Sequence, residues 1–316
     1  MNISIVVPVF NEVENIPLLD QAIRDAMDDR AYEVIYVNDG SDDGSSEALK
    51  KLVGLDPEHN KVIEFRRNFG QTAALAAGID HSTGEVIVTL DADLQNDPAD
   101  IPQLIEKIDE GYDLISGWRV DRQDRLSRRI PSRIANRLIS WITGVRLHDY
   151  GCTLKAYRRE VLEGFHLYGE MHRFIPAYAG YVGAKILEVP VRHHARRFGK
   201  AKYGLERTLK VILDLFTVKF LTSFSNKPIY LFGGTGLALI LLSILDVIVL
   251  IIRRLTLGEH MIRSPLLMMG VMLFTLGFQS ILLGLLAELM VRTYYESQAK
   301  PTYSIRRILD SSSPPA

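Results

Sequence analysis

The stretch GEVIVTLDADLQNDP, residues 84–98, joins a strand pattern to two closely spaced acids. Residues 86–90 are uncharged and four of the five are β-branched, a composition that favours a buried strand. Asp91 and Asp93 follow directly, so both carboxylates can reach a common point at the end of the strand. Three ordinary roles are open to two like charges in such a position: an acid and base pair, a metal site or a solvated turn.

Short apolar runs alternate with helical patterns along the first third of the chain. Parallel sheets covered on both faces have near-continuous apolar strands separated by helices. The alternation therefore predicts an α/β fold with a mostly parallel sheet and helices on both faces. The predicted strands are Ile3–Val9 and residues 32–37, 61–65 and 85–90, and the predicted helices are Ile16–Met27 and residues 71–79.

Polar side chains follow these strands at the point where each strand ends. Asn11 and Glu12 follow the first strand, Asp39 the second, and Asp91 and Asp93 the fourth. Because ligands of such sheets bind at the carboxyl ends of the strands, we expect these side chains to share one cleft. No Gly-x-Gly-x-x-Gly follows the first strand and no Walker-type lysine loop occurs, which argues against a dinucleotide oxidoreductase and a P-loop enzyme.

The shared cleft favours one role for the paired acids. An acid and base pair needs surroundings that separate the two pKa values, and the local sequence offers none. Mg²⁺ and Mn²⁺ take oxygen ligands and are held by one or two carboxylates together with substrate phosphates. We therefore predict Mg²⁺ or Mn²⁺ at Asp91 and Asp93, where the ion would offset the charge of a diphosphate.

Two further features of the cleft favour a nucleotide. Asp39 could accept a hydrogen bond from a base or from a ribose hydroxyl. The motif NFGQ, residues 68–71, opens a predicted helix, so we expect its backbone N–H groups to face polar atoms of the ligand.

Composition indicates a reducing compartment and no nucleic-acid partner. Lys and Arg total 37 against 38 Asp and Glu, so the net charge gives no indication of nucleic acid. The single cysteine, Cys152, excludes an internal disulfide and is interpreted as a small packing residue. The N-terminal MNISIVVPVFNE lacks a basic region and a cleavage site, so it is interpreted as a first strand and not as a signal peptide.

Two apolar segments near the C-terminus predict a transmembrane hairpin. Residues 229–252 and 266–291 each exceed the roughly 20 residues that cross a bilayer core, with a buried hairpin of a soluble protein as the alternative. Asp246 in the first segment is expected to face a partner or to lie near the far interface beside Arg253 and Arg254. The basic residues flanking the hairpin outnumber those in its loop, which favours a multi-pass protein of the cell inner (plasma) membrane with both termini cytosolic.

Two stretches combine an apolar helical face with a basic flank, as helices in a membrane interface do. The first, residues 126–143, could equally pack on the soluble core, whereas the second, residues 206–227, directly precedes the hairpin. The predicted organisation is a cytosolic catalytic domain at residues 1–205, the interface helix, the hairpin at residues 228–292 and a cytosolic tail at residues 293–316.

Several motifs resemble those of the family 2 glycosyltransferases, which have the Rossmann-like GT-A fold. They are PVFNE at residues 8–12, NDGSDDGS at 38–45, NFGQ at 68–71 and DADLQ at 91–95. Further motifs resemble the polyprenyl-phosphate glycosyltransferases, which include dolichol-phosphate mannose synthases and bacterial bactoprenol (undecaprenyl) phosphate glucosyltransferases. These motifs are GWR at 117–119, R-x-x-x-S at 128–132, HDYGCTLK at 148–155 and R-x-x-G-x-x-K at 196–202. The two-span C-terminus and MHRFIP at 171–176 are most similar to the bacterial group.

The resemblance implies inverting transfer of a hexose, with glucose preferred, from a UDP-sugar to undecaprenyl phosphate on the cytosolic membrane face. The product would serve cell-envelope or O-antigen glycosylation. The alternative is the same chemistry with mannose, galactose, an N-acetylhexosamine or a modified arabinose. A non-catalytic membrane adaptor is less favoured, because Asp39, Asp91 and Asp93 are all present. A processive polysaccharide synthase is also disfavoured, because the chain has no Gln-x-x-Arg-Trp segment.

The resemblance also implies partners and residue roles. The partners would be the UDP-sugar, undecaprenyl phosphate, the lipid bilayer and other copies of the chain in a homo-oligomer, for example a tetramer. The nucleotide-sugar pocket would contain Pro8, Asn11, Glu12, Asp39, Asn68, Gly70, Gln71, Asp91, Gln95, Arg196 and Lys202. The acceptor phosphate would be held by Arg119, Arg128 and Ser132, and the metal by Asp91 and Asp93. The residues expected to carry the reaction are Asp93, Arg128, Asp149 and Lys202.

Two roles fit Asp149 under this resemblance, that of a general base and that of a group that orients the sugar or a cation. The second pKa of a phosphate monoester is about 6, so the acceptor is largely ionised at neutral pH and has little need of a base. In-line positioning of two charged substrates would supply much of the rate. We therefore favour the positioning role.

Overall fold

The computed structural model describes residues 2–28, 30–120, 136–137, 139–141, 143–163, 167, 171–195, 229–257, 264–297 and 303–310. These residues form two compact units. The first unit contains the described residues up to 195 together with residues 303–310, and the second contains residues 229–257 and 264–297.

A mixed sheet of eight strands forms the centre of the first unit. The strands are β1 Ile3–Val9, β2 Tyr32–Asn38, β3 Asn60–Phe65, β4 Val86–Thr89, β5 Leu114–Arg119, β6 Lys155–Arg158, β7 Ile186–Val191 and β8 Ile305–Leu309. Their order is β7-β5-β6-β4-β1-β2-β3-β8. The run from β4 to β3 is parallel, as is the β5–β7 pair, whereas β6 and β8 are antiparallel to their neighbours.

Helices cover both faces of this sheet, which confirms the α/β prediction. They are α1 Ile16–Met27, α2 Ser45–Leu55, α3 Gln71–Asp80, α4 Ile101–Asp109, α5 Arg159–Leu162 and α6 Ile175–Tyr181, with 3₁₀ turns at Pro98–Asp100 and Met171–Phe174. Because side chains alternate along a strand, Ile5 and Val7 of β1 join the core under α1 and α4, while Val6 packs with Leu75 of α3.

The α3 helix lies close to the sheet because the residues that face the sheet are small. A Cβ added to Gly78 would lie 2.2 Å from Cγ1 of Val6 and 3.3 Å from Cγ2 of Val37. A larger residue at position 78 would therefore push the helix away from β1 and β2. The close approach brings Gln71, the first residue of α3, within hydrogen-bonding distance of Asp91 after β4.

The tail contributes a strand that the sequence pattern does not predict. β8 pairs antiparallel with β3, with Ile308 opposite Ile63 and Arg307 opposite Glu64. A five-residue strand is stable only when it pairs with an existing sheet, so its own short pattern does not identify it.

Two long apolar helices form the second unit, as predicted. They are α7 Ile229–Leu257 and α8 Pro265–Ser297. Within them, Leu231–Thr256 (26 residues) and Pro265–Ala287 (23 residues) are long and apolar enough to cross a membrane. The first helix begins at the expected residue and extends five residues past the expected end, and the second extends past both expected ends.

Small residues form the contact between α7 and α8. A Cβ on Gly236 would lie 2.5 Å from the carbonyl oxygen of Gly277, and a Cβ on Gly277 would lie 2.7 Å from that of Gly236. The Ser243 hydroxyl donates to the Gly270 carbonyl at 2.7 Å. Small residues and hydroxyls of this kind are what allow membrane helices to approach closely. We call this contact the glycine seam.

Asp246 lies in the glycine seam. Its side chain is buried, and Oδ2 would be 2.7 Å from a Cβ placed on Gly270. In the part of the chain that the structure describes, this oxygen has no hydrogen-bond partner. Asp246 therefore faces the neighbouring helix of the hairpin.

The predicted interface helices fall mainly outside the described residues. This applies to most of residues 126–143 and to all of residues 206–227, so both stay predictions, as do the domain boundaries and the membrane topology. In the described part, Ile139 is buried in the core of the first unit, whereas Trp141 is 81% exposed.

Gly277→Ala should destabilise the hairpin, because the added methyl group would meet the Gly236 carbonyl oxygen at 2.7 Å and Ile240 Cγ1 at 2.8 Å. Overpacking of this kind costs about 1–3 kcal/mol. The midpoint of thermal unfolding of the purified full chain in detergent should fall. Gly234→Ala is the matched control, because nothing lies within 4 Å of its added methyl group. Equal midpoints for the two variants would contradict the glycine seam.

Candidate active site

The carboxyl ends of β1, β2 and β4 lie at the same edge of the sheet, because these three neighbouring strands run parallel. Asn11 and Glu12 follow β1, Asp39 follows β2, and Asp91 and Asp93 follow β4. The fold therefore brings the residues expected in one cleft to one edge. Pro8 belongs to the same edge, since it pairs with Val37 near the end of β1.

Asp39 is held by the turn that precedes α3. Its Oδ1 accepts from the backbone N–H of Phe69 at 2.6 Å and its Oδ2 from that of Gly70 at 2.9 Å. Burial raises the pKa of Asp39 above its usual range, although the two N–H donors act in the opposite direction. Two of the N–H groups expected to face a ligand from residues 68–71 therefore serve Asp39. The expectation that these N–H groups face a ligand is corrected for Phe69 and Gly70, because both donate to the Asp39 carboxylate.

Asn11 and Glu12 join the loop after β1 to the loop after β2. The Asn11 side chain donates to Asp42 Oδ1 at 2.7 Å, and its own oxygen accepts from the Asp42 N–H at 3.0 Å. The N–H of Glu12 donates to Ser45 Oγ at 3.1 Å, and Glu12 Oε2 accepts from Asn15 Nδ2 at 2.6 Å. These bonds give the loop around Asp39 a defined shape.

Asp91 connects two distant segments of the chain. Its Oδ1 accepts from Gln71 Nε2 at 2.7 Å, and its Oδ2 accepts from the Thr153 hydroxyl at 2.7 Å. Asp93 is buried, and its Oδ1 accepts from the backbone N–H of Gln95 at 3.1 Å. Leu94 between them has φ of +57°, a conformation that is uncommon for a residue with a branched side chain. The DADLQ segment is therefore not a solvated turn.

The acids at this edge fit a hard divalent cation only in part. In the described ranges no group of three or more His, Cys, Asp or Glu side chains could hold a metal. A carboxylate has about four lone-pair sites, so Asp91 can accept more bonds than the two given above. Two carboxylates suffice for Mg²⁺ or Mn²⁺ where substrate phosphates complete the coordination.

Arg119 and Asp149 form a buried ion pair at the end of β5. Nε of Arg119 donates to Asp149 Oδ2 at 2.7 Å, and Nη2 donates to Oδ1 at 3.0 Å. Such bidentate pairs are strong and directional. Although burial opposes the charge, the Asp149 carboxylate raises the pKa of Arg119 above its usual value. Asp149 Oδ1 also accepts from the Gly151 N–H at 3.1 Å, so N–H donors engage both carboxylate oxygens.

Sequence reasoning missed several residues that hold this pair in place. Glu188 of β7 accepts from the N–H groups of His148 and Asp149, each at 2.9 Å, and the His148 ring stacks on Trp118 with centroids 4.3 Å apart. The signal for Glu188 was a carboxylate in an otherwise apolar strand, whereas Trp118, His148 and Lys155 lie in the motifs GWR and HDYGCTLK. Lys155 is also buried, and it donates to the carbonyl groups of Tyr150 and Cys152.

Contacts beside α3 were also missed. The Thr72 hydroxyl lies 2.7 Å from Nδ1 of His172, and both side chains are buried. The motif MHRFIP contains His172, but nothing in the sequence pairs it with Thr72.

Four of the predicted site residues lie outside the described part of the chain. They are Arg128, Ser132, Arg196 and Lys202. Their roles stay predictions.

Cys152 should be unreactive in the folded protein. Burial raises the pKa of its thiol to about 11, so at pH 8 only roughly one molecule in a thousand carries the reactive thiolate. The native full chain should release no thionitrobenzoate from Ellman's reagent at pH 8 while the guanidinium-unfolded chain reacts completely. Rapid release from the native chain would contradict the packing role of its only cysteine.

Comparisons with known proteins agree with this geometry. The family model for glycosyl transferase family 2 matches residues 4–165, which include β1 to β4 and the Arg119–Asp149 pair. The dodecaprenyl-phosphate galacturonate synthase of Rhizobium johnstonii is 45% identical over 99% of this chain and 94% of its own length.

Two solved structures share the fold at low sequence identity. Glucosyl-3-phosphoglycerate synthase from Mycobacterium tuberculosis, solved with Mn²⁺, UDP and glucosyl-3-phosphoglycerate, is 19% identical with a TM-score of 0.52, over 70% of this chain and 79% of that one. TarS residues 1–349 from S. aureus, solved with UDP-GlcNAc, is 20% identical with a TM-score of 0.50, over 70% of this chain and 67% of that one.

The fold expectation is therefore confirmed, and the chain is an enzyme of the glycosyltransferase class. With the family model covering the cleft and a relative aligned over nearly the whole length, the chain belongs to glycosyl transferase family 2.

Proposed function

We propose that this enzyme transfers a sugar from a UDP-linked donor to a polyprenyl phosphate at a membrane. The main support for this proposal is that Asp39 after β2 and Asp91 and Asp93 after β4 lie at the same edge of the sheet as the Arg119–Asp149 pair. The Asp91 charge is close enough to contribute to the raised pKa of Arg119. The identity to a dodecaprenyl-phosphate galacturonate synthase extends over the cleft and over both apolar helices, which supports a lipid-phosphate acceptor.

The donor sugar in this proposal is galacturonate. The motif resemblance led us to expect glucose, but the relative's product carries galacturonate, which favours a donor other than glucose. The O-antigen role expected with glucose receives no support from this relative.

On the donor side, Asp39 would accept from the base or the ribose, in a pocket formed with Pro8, Asn11 and Glu12. Asp91 and Asp93 would hold Mg²⁺ or Mn²⁺, which when bound offsets the negative charge of the diphosphate. Arg196 and Lys202 would close over the departing UDP.

On the acceptor side, a phosphate oxygen would attack the anomeric carbon from the face opposite UDP. The new bond joins that oxygen to the carbon, and the bond to UDP breaks with its electron pair leaving on UDP. Since the acceptor is already ionised, no proton has to be removed. Asp149 would orient Arg119, and Arg128 and Ser132 would complete the phosphate site. The homo-oligomer, the cytosolic catalytic domain and the cytosolic termini stay predictions.

A donor panel tests the reaction. The purified full chain would receive UDP-galacturonate, UDP-glucose, UDP-galactose or UDP-N-acetylglucosamine, with dodecaprenyl or undecaprenyl phosphate and Mn²⁺ or Mg²⁺. UDP release and the mass of the lipid product are measured. We expect the greatest turnover with UDP-galacturonate, and none without the acceptor or in excess EDTA.

Two other outcomes of the donor panel would contradict parts of the proposal. Faster turnover with UDP-glucose than with UDP-galacturonate would identify glucose as the donor sugar. No acceptor-dependent release with any donor would refute the transferase proposal and favour a non-catalytic adaptor.

Asp149→Asn should lower kcat on the order of 10- to 100-fold. The asparagine NH₂ group would face one of the two Arg119 N–H donors, so one hydrogen bond of the pair would be lost and the guanidinium would shift. The loss should be the same at every pH tested. The matched control is Asp113→Asn at the opposite end of β5, where the carboxylate also lies beside an arginine, Arg158. Recovery of Asp149→Asn activity as pH rises would instead identify Asp149 as a general base.

A further inference from the structure

The last strand of the chain lies on the strand that leads into the Asp39 turn. β8 pairs with β3 up to Phe65, which is opposite Ile305, and the N–H of Arg66 donates to the Ser304 carbonyl at 3.3 Å. Three residues beyond Arg66, the chain reaches the N–H groups of residues 69–70 that hold Asp39. The tail therefore borders the segment that shapes the proposed nucleotide pocket.

A polar connection runs from β8 to the residue before Asp39. Nε of Arg307 donates to Glu64 Oε2 at 2.5 Å, and the Glu64 side chain is 3% exposed. The other Glu64 oxygen accepts from the Ser46 hydroxyl, which in turn accepts from Asn38 Nδ2 at 3.3 Å. Because a buried carboxylate is costly without a charged partner, Arg307 is needed to keep Glu64 in this position.

An aromatic connection runs from the tail to the other side of Asp39. The Tyr303 ring stacks on Phe65 with centroids 5.4 Å apart, and Phe65 meets Phe69 edge to face at 5.5 Å. The N–H of Phe69 is the donor to Asp39 Oδ1. The Tyr303 hydroxyl also donates to Asp80 Oδ2 at 2.8 Å, which fixes the ring against the end of α3.

We propose that Tyr303 and Arg307 are positioning residues of the donor site, which hold the Asp39 pocket in its nucleotide-binding shape from the tail. The proposal rests on the proposed function, in which Asp39 binds the nucleotide. In this proposal each residue acts through β3 and the turn at residues 68–70 and not by contact with the substrate. Their loss should therefore weaken nucleotide binding and leave the acceptor site unchanged.

Binding of UDP measures this effect directly. Isothermal titration of the full chain in detergent with UDP and Mn²⁺ would compare the wild type with Arg307→Met and Tyr303→Leu. We expect UDP binding to weaken roughly threefold to thirtyfold, the range of couplings carried through packed side chains. The matched control is Arg306→Met, which changes the adjacent arginine of the same strand, whose side chain is exposed. The KM for the donor should rise in the two test variants, while the KM for the lipid phosphate stays unchanged.

Hydrogen exchange separates positioning from general destabilisation. Faster exchange of the Phe69 and Gly70 amides, with α1 unchanged, is expected for Arg307→Met. If amide exchange accelerates equally in α1, the substitution lowers the stability of the whole first unit, and the positioning role is overturned. Tyr303→Phe keeps the ring and loses only the bond to Asp80, so it provides a gentler test if Tyr303→Leu fails to fold.

The measurements distinguish a failure of the proposed function from a failure of the role proposed for the tail. If the wild type binds no UDP, the proposed function fails, and amide exchange in Arg307→Met still tests whether β8 holds the Asp39 turn. If the wild type binds UDP and Arg307→Met binds it equally well, the role of the tail is refuted while the function stands.

Discussion

The Asp91 carboxylate is the group on which the arrangement of the cleft depends, because distant parts of the chain meet at it. Gln71 from the start of α3 donates to one oxygen and Thr153 from the loop before β6 donates to the other. A partly buried carboxylate needs such donors, and each donor fixes the element that carries it. Through this acid, the turn that holds Asp39 is connected to the loop that carries Asp149.

The acids of the cleft are held in two different ways, and the difference bears on what each can bind. N–H and O–H donors without a full charge hold Asp39 and Asp91, so the negative charge of these acids remains available to a cation. Asp149 instead compensates the charge of Arg119. Because that pair is neutral as a whole, an acceptor phosphate would need a further cation, for which Arg128 is the predicted candidate.

The first half of the sheet could be predicted because its signals are local. The apolar runs of β1 to β4 and the spacing of apolar residues in α1 each lie within a dozen neighbouring residues. The partners of the acids could not be predicted in this way. Thr153 lies 62 residues from Asp91, and Glu188 lies 39 residues from Asp149. None of the strands β5 to β8 was predicted. The shortest of them, β6 and β8, were missed for a related reason, because a short strand is stabilised by the strand that it pairs with.

By itself the sequence determined the α/β order, the presence of two apolar helices long enough to cross a membrane and the acids that end the strands, because these depend on periodicity and composition. Only the tertiary structure decided that the N–H groups of Phe69 and Gly70 serve Asp39, that Arg119 holds Asp149, and that the tail completes the sheet beside β3. The reason is physical: a buried donor bonds to the acceptor that folding brings nearest to it in space, and a linear pattern does not contain that distance.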